Sequence, residues 1–258
     1  MAIKTLNNKI VNINKGSICS GASLPYGYAD TTKSPILQLQ ANVLSRQGIL
    51  LDGSNNVLQW NDVRNKNIAV EGANAPVYNF TEISVYGAIN ESLNIKGNVE
   101  EYGFDSDMTF HLWFNTPSVA GTVYLMSKYV DTNNFWGVFF SGTSIAFARR
   151  YLGSYNYLQG VLNNYFTINE WHLLSLVIKG TNAMALMDGI VRNKFSISGT
   201  VGSLGGSFSL FNRGGALYST YHCNSIFLYN YAKFDPVLFV NGDQVFTPKA
   251  RNFPRLTS

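Results

Sequence analysis

Residues 183–191 read Ala183-Met184-Ala185-Leu186-Met187-Asp188-Gly189-Ile190-Val191. Two apolar arms meet at Asp188-Gly189, a dipeptide that supplies the positive φ angles of a two-residue hairpin turn. Just upstream, Trp171 to Ile178 is a nearly continuous apolar run. Such a run predicts a strand covered on both faces, or one at the centre of a sheet. Outward from this point the same grammar recurs. Met108-Thr109-Phe110-His111-Leu112-Trp113-Phe114 mixes β-branched, aromatic and large apolar residues and ends before Pro117. Gly121 to Met126, Phe135 to Phe140 and Ser144 to Arg149 follow, separated by Asp131-Thr132-Asn133-Asn134 and Ser141-Gly142-Thr143. Ser207 to Phe211 and Tyr221 to Tyr229 are two further strands, joined by a loop that holds Asn212-Arg213-Gly214-Gly215. No segment carries a sustained helical stripe, and no repeat of fixed period is present. Short strands with polar turns every ~8–12 residues predict an all-β chain: a sandwich, barrel or jelly roll.

Nearer the start, Leu37, Leu39 and Ala41 alternate with Gln38, Gln40 and Asn42, the period of a half-buried strand. Ser34-Pro35 would alternatively start a helix with Leu37, Ala41 and Leu44 on its face. Val57 to Trp60 is a short strand preceded by the turn Asp52-Gly53-Ser54-Asn55-Asn56. Residues 1–34 are rich in Asn, Gly, Ser and Lys and have little periodicity. They predict an extended N-terminal arm, either a frayed leader or an attachment segment that orders against a partner. Three regions result: the arm at 1–34, a sandwich at 35–232, and a C-terminal piece at 233–258. In the last, Val237 to Val240, Asn241-Gly242 and Gln244 to Phe246 predict a small hairpin, followed by a basic tail from Lys249 to Arg255.

The 258 residues are 46% hydrophobic, 14% aromatic and 13% charged, with net charge +4. Charged residues average about 25% in soluble domains, so this chain is poor in charge. It can build a sizeable core, which excludes disorder as its main state. A charge of +4 spread over this length makes no dense basic field, so nucleic-acid binding is not expected. Apolar runs are too short for a bilayer-spanning helix, and membrane insertion is not expected. The Lys- and Asn-rich stretch after Met1 leads into no apolar run of about seven residues, so no export leader is expected. Cys19 and Cys223 allow one bridge or two thiols, and a domain of this size does not need the bridge.

The order of the pieces resembles the concanavalin A-like lectin/glucanase superfamily, in its laminin-G-like branch. The stretches that carry it are Leu51-Asp52-Gly53 to Trp60-Asn61-Asp62, Ala75-Pro76-Val77-Tyr78, Met108 to Phe114, and Asn169-Glu170-Trp171-His172 with its apolar run. Leu186-Met187-Asp188-Gly189 and Ser225 to Ala232 complete the set. The resemblance covers roughly residues 36–232. It implies an antiparallel β-sandwich, a concanavalin A-like jelly roll, with a glycan or protein site on the concave face or rim and in many members a calcium ion. It also implies a structural role for His172.

Glucanases of that superfamily use a Glu-x-Asp-x-x-Glu strand, with nucleophile and acid across the scissile bond. None of Glu71, Glu82, Glu91, Glu100, Glu101 and Glu170 completes such a set, and Asp105-Ser106-Asp107 at a strand entry is a turn former first. His222 and Cys223 are adjacent, so a strand would send them to opposite faces. No Gly-x-Ser-x-Gly elbow, zinc spacing or phosphate loop occurs. The chain therefore does not read as an enzyme. Asp131, Asn133 and Asn134 put oxygens on one loop, as do Asp52, Asn61 and Asp62. Either set is a candidate calcium site, and turn capping, which Asp and Asn do without any ion, is the leading alternative for both. Otherwise no cofactor is expected. For sugar binding, aromatic faces and polar donors are needed. The stretch Arg149-Arg150-Tyr151-Leu152-Gly153-Ser154-Tyr155-Asn156-Tyr157 offers one wall, Arg149, Tyr151, Tyr155 and Tyr157 foremost, with Tyr165, Arg213, Tyr218 and Tyr221 a second. The competing reading packs these tyrosines at an edge or a subunit contact.

Lectin-like sandwiches act outside cells, and no leader is expected here. Assembly into a virus particle released by lysis reconciles the two. The expectation is therefore a non-enzymatic bacteriophage virion protein: a fibre, tail-tip or capsid-decoration subunit on the particle exterior. It would attach to other virion proteins through the arm, form a homo-oligomer such as a trimer, and bind host surface glycans. The rivals are a purely structural virion subunit without a ligand, a bacterial surface adhesin, and an atypical glycoside hydrolase.

Overall fold

A computed structural model describes residues 4–6, 9–11, 35–41, 48–62, 68–71, 74–88, 90–96, 107–119, 122–142, 144–152, 154–197, 207–213 and 217–248. Among them, nineteen strands run in order. They are β1 (Lys4–Leu6), β2 (Lys9–Val11), β3 (Leu37–Gln40), β4 (Ile49–Leu51), β5 (Val57–Asn61), β6 (Ile68–Glu71), β7 (Val77–Asn79), β8 (Ser84–Gly87) and β9 (Leu93–Lys96). Next come β10 (Met108–Asn115), β11 (Thr122–Asp131), β12 (Asn134–Ser141), β13 (Ser144–Tyr151) and β14 (Ser154–Asn163). The last are β15 (His172–Lys179), β16 (Asn182–Met187), β17 (Ile190–Ser196), β18 (Ser207–Leu210) and β19 (Tyr221–Tyr229).

Two large antiparallel sheets hold the chain. One has eight strands in the order β17-β16-β15-β10-β19-β8-β7, with β3 also paired to β19. The other has nine, in the order β14-β13-β12-β11-β18-β9-β6-β5-β4. Of the N-terminal region, β1 and β2 pair as a separate hairpin. No α-helix occurs among the described residues. The strand at 37–40 decides that ambiguous segment against the helix: Leu37 and Leu39 are buried and pair with Leu228 and Ile226.

Between the sheets lies one apolar layer. Phe110, Leu112, Phe114, Leu174, Leu176 and Ile226 meet Met126, Trp136, Val138, Phe140, Phe147 and Phe208 across it. Each strand sends alternate side chains inward, so the period-2 pattern of the sequence becomes the core. Asp188 and Gly189 have φ of 54° and 78°, and Met187 faces Ile190, which is the two-residue hairpin that the dipeptide predicts.

β15 is buried on both faces, and the second cover comes from the C-terminal segment. Leu173, Val177, Met184, Leu186 and Val191 form a separate apolar cluster with Phe234 and Phe246, whose rings stack at 5.8 Å. The expected hairpin at 237–246 does not form. Pro236–Leu238 is a short 3-10 turn capped by Asp235, and the chain then runs antiparallel beside β17. Gly242 N donates to Val191 O (2.7 Å), Val191 N to Asp243 O (2.9 Å), and Val245 N to Gly189 O (2.9 Å). The apolar outer face of β15–β17 draws this segment flat against the sheet, because burying it outweighs a free-standing hairpin that has nothing to cover. The basic tail beyond residue 248 lies outside the described residues, as does Cys19. Cys223 is a buried free thiol, and burial raises its pKa.

Candidate functional site

The nine-stranded sheet has a second face, turned away from the core. On β12, Trp136, Val138 and Phe140 enter the core, while Phe135 and Phe139 lie on the opposite side. Tyr124, Ala146 and Ala148 join them there, with Tyr129 packed against the cluster. Small residues set the floor. A Cβ on Gly137 would lie 2.4 Å from the Tyr124 ring, so only glycine lets that ring lie on the sheet. Tyr124 then stacks on Phe139 at 4.7 Å.

Arg213 closes over these rings. Its guanidinium carbon stands 5.0 Å from the Tyr124 centroid, 5.3 Å from Phe135 and 5.5 Å from Tyr129. Its Nη1 donates to the Tyr124 hydroxyl at 3.1 Å. Beside it, Arg150 Nη1 donates to Thr132 O at 2.9 Å. Thr132, Phe135, Arg150 and Arg213 line an open depression of about 400 Å³. Two guanidinia and an aromatic wall thus come together from β12, β13 and the loops after β11 and β18.

The β11–β12 turn forms one rim. Asp131 Oδ1 accepts from Asn133 N at 2.7 Å, and both Asp131 oxygens accept from Asn134 Nδ2 at 3.1 Å. Asn134 Oδ1 accepts from Leu152 N at 3.0 Å, which ties this turn to the β13–β14 turn. The Asn133 N–H, then the Asn134 amide, and Arg150 more weakly, hold the Asp131 carboxyl below the usual carboxylate range. The three candidate calcium ligands do share this turn, but in the geometry of a cap, with N–H donors on the carboxylate and a guanidinium nearby. Asp52 does the same work before β5, accepting from Ser54 N, Asn56 N and Asn56 Nδ2. No group of three His, Cys, Asp or Glu side chains converges among the described residues.

The other sugar-binding candidates scatter. Arg149 pairs with core-facing Trp136 and is only 4% exposed, and Tyr151 packs on the main core. Neither lines the depression, since strand alternation puts Arg150, not Arg149, outside, and Tyr221 is fully buried with its hydroxyl donating to Leu125 O at 2.7 Å. Tyr155 and Tyr157 stand on edge strand β14, paired in register with Arg150 and Ala148, and their side chains lie outside the described residues. Tyr165 is exposed beneath Arg192 of β17, 4.7 Å from guanidinium to ring, in the other sheet's company. Tyr218 is half-buried in the loop before β19. Of the predicted set, then, the depression gathers Arg213. Arg150 belongs to the Arg149–Tyr157 stretch and stands one residue past the expected strand end, whereas Phe135 was expected only as a strand residue.

The carboxylates and histidines that remain hold turns together. Asp107 accepts from Gly180 N at 2.7 Å, and Glu82 accepts from Trp171 Nε1 at 2.8 Å. Asp105 lies outside the described residues. His172 Nε2 accepts from Thr167 N at 3.0 Å, so Nδ1 carries the proton toward Asp188 Oδ2 at 2.8 Å. His172 therefore braces a loop against the hairpin turn. The His222 ring lies tilted against Tyr86 at 4.5 Å and meets the Ser84 hydroxyl, while Cys223 faces the core, as their adjacency requires.

No family model matches the chain, and no curated protein matches it in sequence. Solved structures do match. One is from a study titled as showing that cell entry of botulinum neurotoxin type C depends on interaction with two ganglioside molecules. It has TM-score 0.57 and 11% identity, over 79% of this chain and 49% of that one. The binding domain of botulinum neurotoxin DC in complex with SialylT has TM-score 0.54 and 12% identity, over 79% and 49%. A mutant of Trypanosoma rangeli sialidase displaying trans-sialidase activity has TM-score 0.52 and 13% identity, over 83% and 33%. These matches agree with the fold seen here, an antiparallel β-sandwich. This chain spans about half the length of the toxin chains and a third of the sialidase chain.

Proposed function

We propose that the chain is a non-catalytic glycan-binding subunit of a virion exterior, a fibre, tail-tip or capsid-decoration protein. The observation that carries the binding part is the depression itself. The Tyr124, Phe135 and Phe139 rings are buried, 3%, 4% and 2% exposed, so they brace Arg213 from beneath, and the open depression presents fixed guanidinium donors of the kind that sugar hydroxyls and carboxylates accept from. Support comes from similar sandwiches in proteins described with gangliosides and SialylT. For the particle role, support comes from the low charge and from Val237, Leu238 and Val240, which are 64%, 45% and 65% exposed on one short segment. Such surface suits contacts within a homo-oligomer. The Asn- and Lys-rich 1–34 segment is assigned to attachment to other virion proteins.

A glycan array probed with the whole chain tests the binding part. Retention of defined glycans, lost in Arg213→Ala, is expected; an array with no retention would leave a purely structural subunit. Sedimentation velocity tests assembly: a concentration-independent oligomer is expected, and a monomer throughout would refute it. Deletion of residues 1–34 should yield a folded chain that no longer co-purifies with particles.

A further inference from the structure

We propose that the depression between Arg150 and Arg213 selects carboxylate-bearing sugars, uronic or nonulosonic acids, over their neutral counterparts. This rests on the glycan-binding reading and gives it a substrate class. Both guanidinia line the same open space with Thr132 and Phe135. Arg213 is braced by three rings and by the Tyr124 hydroxyl, so its donor fork is held in one orientation before any ligand arrives. A planar fork already oriented is suited to two parallel bonds to a carboxylate, at little cost in side-chain freedom. Arg150 is fixed in turn by Thr132 O. Asp131, whose oxygens accept the N–H groups of its own turn, also interacts with the Arg150 charge, so the two guanidinia and this carboxylate together carry a net charge of about +1.

The charge balance decides between ligand classes. A neutral sugar seated here would strip water from two guanidinia, which Asp131 balances only in part, without adding an opposite charge. A carboxylate replaces that water with two charge-assisted contacts. Leu152, whose N–H ties its turn to the rim at Asn134, is 76% exposed in a left-handed conformation (φ 48°), an apolar side chain beside the site that pyranose C–H groups would meet.

The test is calorimetric titration of the full chain with two probes that differ only at C6, methyl glucuronide and methyl glucoside, alongside N-acetylneuraminic acid. At least one acid should bind about tenfold or more tightly than the neutral glucoside, and raising salt to about 0.5 M should weaken it. Arg213→Lys keeps the charge but removes the fork, and should cost about tenfold; Arg150→Gln should cost a similar factor. Unchanged near-UV circular dichroism confirms that each variant is folded. Equal or tighter binding of the neutral glycoside, with the same two variants losing it, overturns the acidic preference and leaves glycan binding standing. Acid binding indifferent to both substitutions overturns the assignment of the site. If none of the three binds and the array is also blank, the glycan-binding reading itself falls.

Discussion

Replacing Gly137 by alanine tests the floor of the depression from beneath. The added carbon would lie 2.4 and 2.6 Å from two Tyr124 ring atoms and 3.3 Å from Met126 O. Carbon pairs settle at about 3.5–4.0 Å, so the ring must retreat by roughly 1.1–1.6 Å. Phe139 is stacked at 4.7 Å and the Arg213 guanidinium stands at 5.0 Å, so the retreat disturbs one or both. Overpacking of this kind costs about 1–3 kcal/mol, and the stack and cation–π contact are each worth about 0.5–1.5 kcal/mol. Alanine recovers about 0.5–1 kcal/mol of backbone entropy relative to glycine in a strand. A net loss of about 2 kcal/mol is expected, read as a lower urea midpoint with unchanged slope. Because Arg213 rides on Tyr124, ligand affinity should fall with it. The informative comparison is Gly137→Ala/Tyr124→Ala, in which the clash is removed. If Gly137→Ala is neutral alone, or costs the same with Tyr124 already truncated, the ring does not occupy the space assigned to it.

Gly189→Val puts a β-branched residue at φ 78° with its Cβ 1.9 Å from Phe246 O, and should cost about 3 kcal/mol in thermal or urea unfolding. An unchanged midpoint would refute the docking of the C-terminal segment on the turn. Asp188→Ala removes the acceptors of His172 Nδ1 and Leu173 N, both at 2.8 Å, and should cost about 2 kcal/mol by the same measurement. Burial, with the Lys233 charge adding, holds the His111 imidazole well below its usual 6.5. It stays neutral in the fold and takes up a proton on unfolding. Stability is therefore complete above about pH 6.5 and falls below it, at up to about 1.4 kcal/mol per pH unit. Urea midpoints from pH 7.5 to 5 should show the fall, and His111→Gln should flatten it.

Strand signals in single stretches were legible. Met108 to Phe114, Phe135 to Phe140, Tyr221 to Tyr229 and the Asp188-Gly189 hairpin appear where the sequence predicts them, because burial on alternate faces writes itself directly into residue order. β14 is legible only as the competing reading of its tyrosines, as strand residues at an edge, because Asn156, Gln159, Gly160 and Asn163 dilute its pattern, which an edge position tolerates. The C-terminal segment was misread for a different reason. Asn241-Gly242 is a good local turn signal, but the uncovered apolar face of β15–β17 is a long-range demand that local sequence does not display. The depression was legible only in part. Arg213 stood out in its loop, whereas choosing Arg150 over Arg149 needs the facing of β13, which pairing to β12 sets. Bringing residues 132, 135, 150 and 213 together depends on the order β13-β12-β11-β18, in which β18 is almost sixty residues from β13 along the chain.

The run of residues 242–245 along β17 has a consequence for growth by polymerisation. An open sheet margin is a template onto which a foreign strand can add, and this chain has few charged side chains to discourage that. Here the molecule occupies its own margin, with backbone donors and acceptors at Gly189, Val191, Gly242, Asp243 and Val245 already spent on one another. A proteolytic cut near Phe234 would uncover the ladder and the greasy patch beneath it in a single event. Nicked molecules would then be expected to recruit neighbours at this edge, so the segment at 242–245 blocks strand addition at the start of β17 as well as covering the apolar face.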